Sequence, residues 1–182
     1  VLSEAMAEKG GHVHGIDLSQ PMIEAAKIHI QTQPFQVDYR CIRTSECVAN
    51  HERYDMITCM EMLEHVADPS AILRDIASLL KPNGYAFLST LNRGIKSYLG
   101  AIVAAEYLTN LVPKGTHRHA WFIKPMELVN MCEKAGLKVV ALSGMDYHPL
   151  LKSANLSRRL GINYLLAVQK PLSSDINTTS AH

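Results

Sequence analysis

Strand-like and helix-like hydrophobic patterns alternate along this chain, and that alternation limits its fold more than any other feature. Residues 12–16 alternate as a strand and run into Asp17, after which Ser19 opens a helix with Met22, Ile23, Ala26 and Ile30 at helical spacing. Residues 35–41 and 54–60 read as further strands. Asp68-Pro69 begins a helix that places Ile72, Leu73, Ile76, Leu79 and Leu80 on one face and closes at Lys81-Pro82-Asn83-Gly84. Residues 84–90 then read as a strand. A helix after Lys124-Pro125 carries Leu128, Val129, Cys132 and Ala135 and stops at Gly136. Residues 137–143 and 163–169 are the last strands, and 144–161 reads as a loop over one end of the sheet. The pattern predicts an α/β domain, a mostly parallel sheet with helices on both faces.

Composition narrows the partners. The 182 residues, 47% of them hydrophobic, suit one domain with an ample core. A net charge of +1, with no basic stripe interleaved with aromatics, speaks against nucleic acid. The four cysteines lack CxxC spacing and read as reduced thiols in a cytosol-like compartment, with Cys59 in the core. The first nine residues, with Glu4 and Glu8 and no basic start or long apolar run, do not read as a signal peptide. They resemble the middle of a helix, with Leu2, Ala5 and Met6 on one face and a stop at Gly10-Gly11, so the chain is expected to begin inside a domain. Residues 171–182, rich in Ser, Thr and Asn, read as a disordered tail.

Residues 95–112 contain a dozen apolar residues, with Lys96 and Glu106 their only Asp, Glu, Lys or Arg residues. A membrane crossing needs ~20 mostly apolar residues, and at ~100° per residue the apolar positions go nearly all round a helix rather than forming a stripe. The segment 95–120 is thus either a buried helix with its flanks or a lid that touches membrane. In the second reading Arg93, Lys96 and Lys114 meet anionic lipid.

The chemistry concentrates in Cys59-Met60-Glu61-Met62-Leu63-Glu64-His65-Val66, which follows a strand. If the chain turns into a helix there, Glu61, Glu64 and His65 share one face at ~100° per residue. Two carboxylates and an imidazole suit either a divalent ion or proton transfer, and the bland alternative is an acidic helix start favoured by the macrodipole. His12 and His14 lack a third ligand nearby and read as structural.

Together with Gly15-Ile16-Asp17, Leu80-Lys-Pro-Asn-Gly84, Ser89-Thr-Leu-Asn-Arg93 and Val112-Pro-Lys-Gly-Thr-His117, this run resembles the class I S-adenosylmethionine-dependent methyltransferases, and within them the ubiquinone biosynthesis O-methyltransferase family. The resemblance spans most of residues 1–170 and implies a Rossmann-like sheet. Such folds open with a strand and a glycine-rich turn, and an acid that binds ribose lies ~20 residues beyond that turn in the related dinucleotide fold. Asp17 stands too near Val1 for that, so the chain is expected to lack the first strand and the glycine loop.

The resemblance implies transfer of a methyl group from S-adenosylmethionine to a polyprenylated catechol or hydroquinone intermediate of ubiquinone synthesis. A different small phenol, or a cofactor-free remnant acting as a lipid-surface or complex-forming module, is the alternative. Asp17 would bind ribose and Leu18 cover adenine. Ser45 and Glu46 would present backbone to the adenine edge, and Met60 would lie beside the methionine portion. Glu61, Glu64 and His65 would hold Mg²⁺, or else His65 would act as base with Glu61 orienting it. His117 and Lys114 border the substrate. The implied partners are a membrane surface, met peripherally, and a ubiquinone-biosynthesis complex. The expected location is cytoplasmic, at the inner face of the cytoplasmic membrane, or alternatively the mitochondrial matrix.

Overall fold

The computed structural model describes residues 2–92, 123–148, 153–160 and 163–172. The 95–120 insertion, with Lys114 and His117, lies outside the described residues, as does the tail from 173. The chain forms two compact units, Val1–Glu52 and Arg53–His182.

The first unit contains α1 (Leu2–Glu8), β1 (Val13–Ile16), α2 (Gln20–Ile30), β2 (Val37–Arg40) and α3 (Thr44–Ala49). β1 and β2 are parallel, with Val13 opposite Val37 and Gly15 opposite Tyr39. Residues 37 and 39 share a strand face by alternation, and α1 and α2 pack on it through Ala7, Ile23 and Ile30. The expected face of α1 is displaced: Leu2 is 45% exposed and Ala7 is the buried residue. This seven-residue helix meets the sheet at its last turn, next to the reversal at Gly10 that leads into β1. Gly15 lies so close to Tyr39 that a Cβ there would stand 2.6 Å from the ring. The helix α3 carried no apolar periodicity long enough to announce it, and Cys47 is its buried contact.

The second unit contains β3 (Tyr54–Met60), a 3₁₀ turn (Leu63–His65), α4 (Pro69–Leu79), β4 (Leu80–Leu91), α5 (Pro125–Lys134), β5 (Lys138–His148), β6 (Ser153–Ser157) and β7 (Asn163–Gln169). The sheet order is β3-β4-β7-β5-β6. β3 and β4, joined through α4, are parallel. The other three pairings are antiparallel, so this sheet is mixed rather than mostly parallel. β7 inserts between β4 and β5 and runs against both. The expected loop at 144–161 is largely a hairpin, in which β5 continues to His148 and β6 pairs back along it. Gly144, just past the expected end of this strand, lies within β5, and only glycine suits the position because a Cβ there would collide with the Arg159 carbonyl.

α4 starts where Asp68 accepts a hydrogen bond from the Ala71 N–H at 3.1 Å, a cap worth ~1 kcal/mol. It buries Leu73, Ile76 and Leu79, and α5 buries Leu128 and Cys132. Each large apolar side chain contributes roughly 1.5–3 kcal/mol on burial. Both helices pack with Ala86, Leu88, Tyr164, Leu166 and Val168 in one cluster, and thus on one sheet face. α5 ends at Gly136, whose φ of 80° is the left-handed geometry glycine accepts without cost. Among the described residues, no helix is long and apolar enough to cross a membrane.

Candidate active site

Because β3 and β4 are parallel and Met60 pairs with Ser89, their C-terminal ends open on the same edge of the sheet, where ligands bind in open α/β sheets. Beyond Met60 the backbone does not enter an α-helix. Glu61 adopts φ 50°, a left-handed geometry uncommon for a residue with a Cβ, and the 3₁₀ turn follows. The expected common face of Glu61, Glu64 and His65 is therefore absent: the ~100° spacing it assumes belongs to an α-helix.

What forms instead is a pair of carboxyls held from β4. The Ser89 hydroxyl donates to Glu61 Oε1 at 2.7 Å and accepts the Glu61 N–H at 3.2 Å. The same N–H also reaches the Ser89 carbonyl at 3.0 Å. The Thr90 hydroxyl donates to Glu64 Oε2 at 2.7 Å. Glu64, Ser89 and Thr90 are all buried, whereas His65 is exposed.

Burial raises the pKa of Glu61, and the nearby Glu64 carboxyl raises it further, with the Ser89 hydrogen bond opposing. Glu61 thus binds a proton more readily than a free glutamate. Cys59 is pushed up to about 12 by burial and then by Glu64, which makes it an inert core thiol, as its strand position implied. Tyr164 is shifted well upward by burial first and Glu64 second, and its hydroxyl donates to the Ile123 carbonyl at 3.0 Å.

Among the described residues, no three His, Cys, Asp or Glu side chains converge as a cation cage. Glu61 and Glu64 nevertheless supply hard oxygen donors of the kind Mg²⁺ takes one or two at a time, keeping water or substrate oxygens elsewhere. They fit such an ion as a two-carboxylate site. His65 does not join them.

In the first unit, Asp17 follows β1 and is exposed. Its N–H bonds the Arg40 carbonyl at 3.3 Å, and its Oδ1 accepts the Ser19 N–H at 2.7 Å. Ser19 stands at the start of α2 and makes no side-chain cap; Pro21 in the first turn has no N–H to offer it, and Ser19's own N–H goes to Asp17. An aimed, exposed carboxylate at a strand end suits a pair of ribose hydroxyls. Leu18 beside it is 61% exposed, an apolar surface free to meet a nucleobase. Ser45 and Glu46 lie in the first turn of α3, where Glu46 Oε1 accepts the Arg43 N–H at 2.9 Å. Met60 is half-buried at the end of β3. His14 of the His12/His14 pair is engaged by Arg40 at 2.8 Å, in keeping with a structural role.

Ser89 and Thr90 stand in the Ser89-Thr-Leu-Asn-Arg93 motif, which by itself does not tie them to Glu61 and Glu64. Their signal was positional: two hydroxyl residues ending a strand that lies in register beside the acidic run.

Comparison gives the class: residues 1–142 match the methyltransferase domain family. A solved S-adenosylmethionine-dependent methyltransferase from Methanosarcina mazei shares the fold at a TM-score of 0.67 and 18% identity, covering 94% of this chain and 87% of that one. A ubiquinone biosynthesis O-methyltransferase from Hydrogenovibrio crunogenus is 50% identical over 171 residues, 93% of this chain and 71% of the relative. One from an Azoarcus species is 47% identical, over 93% and 73%. The chain belongs to the ubiquinone biosynthesis O-methyltransferase family.

Proposed function

We propose that this protein transfers the methyl group of S-adenosylmethionine to a ring hydroxyl of a polyprenylated catechol-like or hydroquinone-like intermediate of ubiquinone synthesis. The observation that carries this reading is the Glu61/Glu64 pair at the C-terminal edge of β3 and β4, in a chain half identical to a named member of the family.

S-adenosylmethionine supplies a sulfonium-bound methyl group, electrophilic enough for displacement by an oxygen nucleophile. A phenol must lose its proton to attack well. Oxygen and methyl carbon form the new bond as the carbon–sulfur bond breaks, and the pair in that bond stays on sulfur. Glu61 is placed to accept the ring hydroxyl's proton or hydrogen bond, and its raised proton affinity brings it closer to a phenol's. Its neighbour Glu64 raises that affinity further. Bound Mg²⁺, held by Glu61 and Glu64, would lower the pKa of the coordinated phenol. Asp17 and Leu18 would orient the nucleoside, Ser45 and Glu46 would edge the adenine, and Met60 would flank the methionine chain. Much of the acceleration comes from holding the reactants in line.

A polyprenyl tail partitions into lipid, which supports work at a membrane surface, on the inner face of the cytoplasmic membrane or in the mitochondrial matrix. The segment 95–120, with Lys114 and His117, is the sequence element that suits that contact. Methylation assays with long-prenyl, short-prenyl and unprenylated catechols test the substrate. Faster turnover on the prenylated catechols supports the reading, and equal turnover on all three sinks its prenyl part. Calorimetric titration with S-adenosylhomocysteine separates the enzyme from a cofactor-free binding module.

A further inference from the structure

Ser89 and Thr90 are consecutive in β4, so strand alternation sends their side chains to opposite faces, yet both hydroxyls end on carboxyls of the same turn. Thr90 continues the row of Ala86 and Leu88, all three 0% exposed, and pairs with the equally buried Tyr164. In such surroundings valine has the same shape and carries no hydroxyl to satisfy. The Thr90 hydroxyl is satisfied by one partner among the described residues, Glu64 Oε2 at 2.7 Å. Glu64 is 3% exposed, so its orientation depends on hydrogen bonding within the protein, to which that donor contributes.

Ser89 works differently. Its hydroxyl accepts the Glu61 N–H and donates to Glu61 Oε1, closing a ring around a residue at φ 50°. Left-handed geometry costs a non-glycine residue free energy and persists only where the surroundings fix it. The ring fixes it.

We propose that Ser89 and Thr90 are positioning residues for methyl transfer, Ser89 aiming the Glu61 carboxyl and Thr90 anchoring the Glu64 carboxyl behind it. This inference rests on the O-methylation reading. Neither hydroxyl touches the reacting atoms. Each converts a flexible glutamate into a group with one orientation, the kind of support that decides whether a reactive geometry is held or merely visited.

The test is steady-state kinetics of the whole protein with a short-prenyl catechol, comparing wild type, Thr90→Val, Thr90→Ser and Ser89→Ala, with a thermal melt of each. A carboxyl released from its donor and misplaced by about an ångström predicts a fall in kcat of roughly 10- to 100-fold for Thr90→Val and Ser89→Ala. KM for S-adenosylmethionine should stay put, and Thr90→Ser should regain most of the lost rate. Unchanged kcat in Thr90→Val, beside an active wild type, overturns the inference and leaves the O-methylation reading standing. A parallel loss of cofactor KM and Tm, or failure of Thr90→Ser to recover, reduces Thr90 to packing and also overturns it. An inactive wild type removes the O-methylation reading and this inference with it.

Discussion

Glu61 and Ser89 bind each other through three hydrogen bonds: the Glu61 N–H reaches the Ser89 carbonyl at 3.0 Å and its hydroxyl at 3.2 Å, and that hydroxyl donates to Glu61 Oε1 at 2.7 Å. The ring holds a carboxyl whose proton affinity burial and Glu64 have raised. A raised carboxyl pKa means that the folded state binds the proton more tightly than the unfolded state. The stabilisation from Glu61 is therefore complete below the unfolded pKa and is lost as pH climbs through the folded one. Glu61→Gln should raise Tm relative to wild type at pH 7, with the gap closing near pH 4, while turnover collapses. A variant less stable than wild type at pH 7 would mean that the ionised carboxyl is welcome there.

The carboxyl pair also predicts a response to divalent ions. Mg²⁺ should raise Tm of the wild type at neutral pH by relieving repulsion between Glu61 and Glu64, and should do so much less in Glu64→Gln. EDTA should lower turnover and Mg²⁺ restore it. Full activity in EDTA, with no Tm shift on adding Mg²⁺, would leave the pair as a proton-handling device alone.

The elements with strong periodicity were legible in the sequence: β3, α5 and β7 fall where the apolar spacing put them, and α4 does so as far as Leu79, Leu80 already belonging to β4, because burial on one face dictates that spacing. The site was half legible. The acidic run announced itself, but its conformation did not, since nothing local to Glu61 signals a left-handed turn. That geometry is imposed by Ser89, 28 residues away. The β5–β6 hairpin was hidden for a related reason. Gly144 ends a strand on local propensity, whereas here it is required by the Arg159 carbonyl across the hairpin.

Asp17 is expected to matter to the cofactor and not to the acceptor. Removing its carboxylate in Asp17→Ala leaves the nucleoside's hydroxyls without a charged acceptor, a loss of roughly 10- to 100-fold in S-adenosylhomocysteine affinity by calorimetry. Catechol KM at saturating cofactor should barely move. Unaltered affinity in this variant would place the ribose elsewhere.

Gly15 belongs to a short motif shared by many methyltransferases, yet its closest neighbour is a protein side chain. A Cβ at this position would lie 2.6 Å from Tyr39 Cδ1 and Cε1, and Tyr39 is 7% exposed within the first unit's core. The ring cannot retreat without opening the cluster of Ala7, Ile23, Ile30 and Val37. Overpacking of this kind costs about 1–3 kcal/mol, so Gly15→Ala should lower stability by that amount in urea titrations. Adding Tyr39→Leu should recover part of the loss by making room, even though Tyr39→Leu alone destabilises. Should Gly15→Ala instead keep its full stability and lose only cofactor affinity, the glycine would be there for the ligand and the packing argument would be wrong.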